Sequence, residues 1–201
     1  MNTYILDIET RPQQGLIEIF ESDLKPPANY KSEEAIEKWR KNYKAGTWKA
    51  LAVNPHYCEI RMVGIKKLGE EPKILTLAEF ADWINKQDSC EFISYNGVAF
   101  DFPAIIRAGI KNNLSMPYGE LNKLTERYQK GYGKFMHRDL ILILNQYGKF
   151  ESLDKMLQIY LGIKKKEINF ETCTLEELKD HCIEDLCNTE LLYRKFKDII
   201  N

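Results

Sequence analysis

Near its start the chain carries an apolar run broken by acid at alternate positions: Tyr4, Ile5, Leu6, Asp7, Ile8, Glu9, Thr10. Aromatic, β-branched and aliphatic residues suit a pleated, buried strand. Positions i and i+2 of a strand share a face, so Asp7 and Glu9 stand side by side while Leu6 and Ile8 point the other way. Two adjacent buried carboxylates repel each other and lose hydration. A divalent cation is the simplest remedy, and hard oxygen ligands favour Mg²⁺ or Mn²⁺. The alternative is a strand end that reaches solvent, where Asp-x-Glu costs nothing.

The 201 residues suffice for one domain with a real core, and 44% hydrophobic with 29% charged content reads as globular. The net charge of -1 supplies no global field for nucleic acid or membrane, so a polyanion must be bound through a local patch or a metal. Cys58, Cys90, Cys173, Cys182 and Cys187 are odd in number and lack C-x-x-C spacing. They read as reduced thiols, and a cytoplasmic location is expected. The polar N-terminus leading into a strand is no signal peptide, and no apolar run approaches the ~20 residues of a membrane span, so no membrane partner is expected.

Residues 11 to 58 read as an insertion between the first two strands of a single domain spanning 1–201. Arg11 to Tyr30 is expected as loop, and Ser32 caps a helix over Glu33 to Tyr43. Lys38, Trp39, Arg40, Lys41, Tyr43, Lys44, Trp48 and Lys49 mix cations with aromatics. They could grip a single strand by phosphate contact and base stacking, though a helix packing its aromatics with solvated lysines is the preferred reading for most of them. Strands are expected at 59–67, 73–75 and 91–95, with a Thr76-capped helix to about Lys86. A helix over Phe102 to Ala108 places Asp101 at its N-cap and Gly109 at its end. A short helix near Leu121 to Tyr128, a short strand near Phe135, a helix over Asp139 to Gln146 ended by Gly148, and a Ser152-capped helix closed by Gly162 follow.

Thr174 caps the last and longest helix, whose apolar stripe runs Leu178, Cys182, Thr189, Tyr193, Phe196, Ile200. At spacings of three and four, the missing stripe position is Asp185. A carboxylate on a buried face needs a partner or a metal. Three acidic features thus stand out: Asp7 with Glu9, Asp101 at a strand-to-helix junction, and Asp185.

These residues carry a resemblance to a known family. Leu6-Asp7-Ile8-Glu9-Thr10 resembles the Asp-x-Glu-Thr motif of the DEDD superfamily of 3′–5′ exonucleases, particularly the proofreading domains related to family B DNA polymerases. The stretch from Tyr95 to Pro103 resembles the second motif, Asn-x-x-x-Phe-Asp, with Asn96, Phe100 and Asp101. His181 to Thr189 resembles the third, with His181 four residues before Asp185 where Tyr is usual. Ser152-Leu153-Asp154 to Leu161-Gly162 resembles the Ser-Leu-Asp…Leu-Gly helix before that motif. The resemblance implies an α/β, ribonuclease H-like mixed five-stranded sheet flanked by helices.

It also implies two-metal hydrolysis of a terminal phosphodiester, with Mg²⁺ or Mn²⁺ held by Asp7, Glu9, Asp101 and Asp185. His181 is the candidate base, since an imidazole titrates nearer neutrality than a phenol. A histidine simply satisfied by Asp185 or Glu177 is the alternative. Thr10, Asn96 and Phe100 are the substrate-binding candidates, Asn96 and Phe100 placing the 3′-terminal nucleotide; core packing is the other reading of Phe100. The expected partner is a single-stranded DNA 3′ end, with a replication or repair protein as a further one. An RNA-trimming enzyme of the same fold and a non-catalytic nucleic-acid-binding module are the alternatives.

Asp139 follows His137 and Arg138 in an arrangement like the kinase catalytic loop, but Asn145 falls one position late and no Gly-rich phosphate loop exists. Asp139 reads instead as a support behind the metal cleft or a helix N-cap, and His56 as a loop residue. Lys123, Arg127, Lys130, Lys134 and Arg138 form a basic run that could track a strand's backbone; a solvated face is the default.

Overall fold

The computed structural model describes residues 1–22, 25–126, 133–144 and 150–200. The first strand, β1 (Asn2–Pro12), is central in a five-stranded sheet. It pairs antiparallel with β2 (Cys58–Lys67), which pairs antiparallel with the short β3 (Lys73–Leu75). On its other side β1 runs parallel to β4 (Cys90–Ser94), and β4 runs parallel to β5 (Phe135–Asp139). The order β3-β2-β1-β4-β5 is the expected mixed sheet.

Parallel neighbours require crossover connections. Helix α3 (Leu77–Asn85) leads into β4, and α4 (Asp101–Lys111) with α5 (Tyr118–Lys123) leads into β5. After β5 come α6 (Leu140–Leu144), α7 (Leu153–Leu161) and α8 (Leu175–Ile200). Helices α1 (Gln14–Ser22) and α2 (Glu33–Ala52) lie between β1 and β2 in the chain. No described helix is long and apolar enough to cross a membrane.

The alternation in β1 sorts the core into two layers. Leu6 and Ile8 pack with Phe80, Ile84, Phe102 and Ile105 of α3 and α4. Ile5 packs on the opposite face with Leu178, Cys182 and Leu186 of α8. Asp7 and Glu9 share Ile5's face by strand periodicity, so they lie under α8. A register shift just after Glu9 bends β1 where its last carboxylate emerges.

Gly64, paired with Asp7 across β2, lets α8 close on this face. A Cβ there would meet Cys182 Sγ at 2.6 Å and Leu186 Cδ1 at 2.8 Å, and both residues are fully buried. Gly64→Ala is therefore expected to cost about 1–3 kcal/mol through overpacking. A lower urea midpoint at unchanged slope is the expected reading. An unchanged midpoint would mean that α8 does not depend on this close approach.

Several local expectations change. Arg11 and Pro12 belong to β1, paired with Glu59 and Cys58, and the segment expected as loop contains α1. Phe20 of α1 packs against Tyr43 and Tyr57, so α1 draws its stability from residues distant in sequence. Helix α2 continues nine residues beyond Tyr43, to Ala52. Asp101 is the first residue of α4 rather than its cap, and Phe100 takes the cap position. Gly109 lies inside α4, where a Cβ would overlap Met116 Cε and approach Tyr118 Oη; its smallness serves packing, and the helix ends at Lys111 with Asn112 as its cap. The expected helix near Leu121 is α5, starting at Tyr118, and Arg127 and Tyr128 lie outside the described residues. Asp139 closes β5 before α6, while Asn145, Gln146 and Gly148 lie outside the described residues. The caps at Ser32, Thr76, Ser152, Gly162 and Thr174 form as expected.

Candidate active site

A cleft of about 610 Å³ opens along the α8 side of β1, lined by Asp7, Glu9, Lys49, Lys165, His181 and Asp185 among others. Asp7 and Glu9 arrive from β1, His181 and Asp185 from one face of α8. Asp101 is buried at the start of α4, beside the backbone N–H of Ile8 and within electrostatic reach of Asp7 and Glu9. Asp7, Glu9 and Asp185 thus line one cleft, with Asp101 buried within electrostatic reach of the first two.

The titration of Asp7, Glu9 and Asp101 records their burial first and their acidic neighbours second. Burial is the largest effect on Asp7 and lifts it well above the ordinary carboxylate range; Glu9, Asp101 and Asp185 push it further, and Lys165 opposes. Glu9 is raised to about 8, by burial first and then by Asp185, again against Lys165. Asp101 is raised to about 8 by burial and Asp139, against backbone N–H groups of Ile8 and Asp101 itself. Such a cluster is under-compensated by the protein alone and suits added positive charge.

The donor set fits a hard cation. One ligand atom each of Asp7, Glu9 and Cys182 lies within 4.8 Å of the others. Burial pushes the Cys182 thiol far up, and its Sγ donates to Asp7 Oδ2 at 3.8 Å. A protonated thiol is a poor ligand for Mg²⁺ or Mn²⁺, so carboxylate oxygens are the natural donors.

Lys165, absent from the sequence-derived candidates, is the cation nearest these acids. Its Nζ lies 2.5 and 2.6 Å from the two oxygens of Asp185, and both side chains are mostly buried. Asp154 of α7 accepts from the Lys165 backbone N–H at 3.2 Å, so the Ser-Leu-Asp turn of α7 holds the lysine in place. The only sequence signal was the run Lys164-Lys165-Lys166, which reads like any solvated patch.

His181 is 8% exposed, and its Nε2 stands 3.7 Å from Asp185 Oδ2, beyond hydrogen-bond reach. Its Nδ1 is buried with no hydrogen-bond partner among the described residues. Glu177 is engaged at the Thr174 cap and does not hold the ring. The structural alternative for His181, a ring satisfied by Asp185 or Glu177, thus lacks its hydrogen bonds. Burial lowers the imidazole's pKa below the usual value, with Asp185 opposing, which favours the neutral ring. Phe170 packs edge-on against it at 5.1 Å.

Asp139 accepts from the N–H groups of Asn96 at 2.8 Å, Val98 at 2.9 Å and Ile141 at 3.2 Å. It supports the turn before Asp101 and also starts α6, so the two sequence readings of Asp139 coincide. Asn96 sits in the left-handed region (φ 76°), a conformation Asn tolerates better than most residues. Thr10 Oγ1 donates to Ala52 O at 2.6 Å, which ties β1 to the end of α2. Phe100 packs on the core and also lines a pocket beside the acidic cleft.

His56 is exposed in the turn before β2. In the basic run, Lys123 pairs with Glu120 and Arg138 with Glu91, while Arg127 and Lys130 lie outside the described residues.

Comparison with known proteins accords with this geometry. A family model described as a predicted 3′–5′ exonuclease related to the exonuclease domain of PolB matches residues 49–200, which include Asp101, Lys165, His181 and Asp185. No curated protein matches the sequence. Among solved structures, the family B DNA polymerase from the hyperthermophilic archaeon Pyrobaculum calidifontis superposes with a TM-score of 0.59 at 14% identity over 98% of this chain. The chain spans 24% of that polymerase. Brucella melitensis NrnC with bound Mg²⁺ gives 0.47 at 11% identity, over 98% of this chain and 74% of that one.

Proposed function

The chain belongs to the family of 3′–5′ exonucleases related to the exonuclease domain of PolB, and on that premise we propose that it removes 3′-terminal nucleotides from single-stranded DNA by two-metal hydrolysis. The observation that carries this reading is the buried set of Asp7, Glu9, Asp101 and Asp185, in which burial first and neighbouring acids second hold Glu9 and Asp101 near pKa 8. No carboxylate of that set is missing, which argues against a module that only binds nucleic acid. The family's relation to a polymerase's exonuclease domain favours DNA over RNA.

Asp7, Glu9, Asp101 and Asp185 would hold the divalent cations, two of Mg²⁺ or Mn²⁺ in this reading. Asp7 is central, since each of the other three acids raises its pKa. When bound, such cations would supply a more acidic water and positive charge for the phosphate and the leaving 3′ oxygen. Neutral His181 takes the water's proton. Lys165, beside Asp185, steadies charge on the phosphate. Water adds to phosphorus, the bond to the 3′ oxygen breaks, and a nucleoside 5′-monophosphate leaves. Thr10, Asn96 and Phe100 shape the bed of the terminal nucleotide, Thr10 indirectly through α2. The five free cysteines support a reducing, cytoplasmic setting.

The test uses 5′-labelled single-stranded DNA and RNA of one sequence, incubated with Mg²⁺, Mn²⁺ or EDTA. The expected result is a metal-dependent ladder shrinking from the 3′ end, faster on DNA. Faster RNA trimming would assign the RNA substrate. Binding without cleavage in either metal would reject the exonuclease mechanism.

A further inference from the structure

The mixed cationic and aromatic segment of α2 divides between two jobs. Trp39 and Tyr43 pack together at 5.2 Å, and Tyr43 stacks on Phe20 of α1, so these rings are structural. Trp48 lies nine positions after Trp39, about 180° round the helix at 100° per residue. It faces a different environment: an apolar pocket of about 560 Å³ lined by Ile8, Trp48, Val53, Phe100, Ile168 and Phe170. Ile8, Glu9, Lys49, Ile168 and Phe170 line both this pocket and the acidic cleft, so the two are continuous. The cleft is mostly charged; the pocket is mainly apolar, with Trp48, Phe100 and Phe170 in its wall beside Glu9, Lys49 and Glu171. A nucleotide divides in the same way, into phosphate and base.

Lys49 stands at the junction, exposed and without an ion pair among the described residues. The Thr10–Ala52 hydrogen bond fixes the end of α2 against β1, one position beyond Glu9. The wall carrying Trp48 and Lys49 is therefore set at a fixed distance from the carboxylates.

We propose that α2 completes the substrate site, with Trp48 stacking on the 3′-terminal nucleobase and Lys49 contacting its phosphate. This rests on the exonuclease reading but is tested without hydrolysis. Stacking is tolerant of base identity, so the pocket requires an unpaired base and reads no sequence. A terminal base held in a duplex cannot enter it.

Equilibrium dialysis with labelled 2′-deoxyadenosine 5′-monophosphate and Mg²⁺ reads the subsite directly, with 2-deoxyribose 5-phosphate as the base-free control. Trp48→Ala is expected to weaken the nucleotide's binding about 5- to 100-fold and leave the sugar phosphate unchanged, while Trp48→Phe retains most of the affinity. Lys49→Ala weakens both ligands and flattens their salt dependence, and Lys41→Ala, on the same helix but off the pocket, changes neither. The circular dichroism of Trp48→Phe and Lys49→Ala is expected to match the parent. Equal binding by Trp48→Ala and the parent, equal loss for both ligands, or no nucleotide binding by the parent would overturn the proposal. A parent that binds the nucleotide through Trp48 yet cleaves no strand would instead defeat the exonuclease mechanism and leave the pocket assigned.

Discussion

Asp7→Asn is expected to abolish cleavage and, in EDTA, to make the protein more stable. The two effects share one cause. Asp7 is the acid on which Glu9, Asp101 and Asp185 all act, and burial with their repulsion holds its carboxyl well above the usual range. A cation there supplies several kcal/mol of transition-state charge stabilisation, so its loss costs on the order of 10³-fold or more in kcat. The amide keeps the shape and removes the repulsion. A gain of about 1–3 kcal/mol in the metal-free protein corresponds to a Tm rise of roughly 2–12 °C at this chain length.

The pH dependence of that gain has a definite sign. A carboxyl raised in the folded state stays protonated after its unfolded counterpart has ionised. For Glu9 the window runs from the ordinary 4.5 to about 8. Below it both states are protonated and stability is full; as pH rises through it, the metal-free fold loses stability. Divalent cations bind the ionised acids and reverse the loss. In thermal melts, EDTA-treated protein should therefore weaken from pH 5 to 8, and Mg²⁺ or Mn²⁺ should restore more at pH 8 than at pH 5. Asp7→Asn should flatten both trends. A variant less stable than the parent in EDTA at pH 8 would mean that Asp7 is structurally paired rather than held for a metal.

The parts of this site legible in the sequence were those set by local periodicity. Strand alternation put Asp7 and Glu9 on one face, and the three-and-four stripe of α8 exposed Asp185 as a polar residue in an apolar slot. Lys165 was not legible because its role depends on Asp185, twenty residues later, and on Asp154, eleven earlier; nothing local separates a buried counter-ion from a solvated lysine. Helix α1 was hidden for a similar reason, since Phe20 finds its partners at Tyr43 and Tyr57. Gly109 was misread because a glycine that ends a helix and one that admits Met116 look alike in sequence. Local rules reach the caps and faces, while charge compensation and close packing belong to the assembled fold.

His181 should prove the group that moves a proton. His181→Gln is expected to lower kcat by about 10²- to 10⁴-fold, the range of a positioned general base, with KM nearly unchanged. Burial lowers its pKa below 6.5, so the base is ionised, and useless, only on the acid side. In the parent, kcat should fall on the acid side of 6.5 and reach its plateau by neutrality. Cations held by the carboxylates would also be lost on acidification, but that limb would shift with metal concentration, because cation and proton compete for the same oxygens. The imidazole binds no cation in this scheme, so its limb should stay fixed when Mg²⁺ is raised. His181→Tyr then separates base from scaffold. A phenol titrates near ~10, so activity that survives in this variant should climb through the alkaline range where the parent is flat. If His181→Gln kept activity within about threefold, or the acid limb moved wholly with metal concentration, the ring would be a packing partner of Phe170. Proton removal from water would then fall to a carboxylate or to solvent.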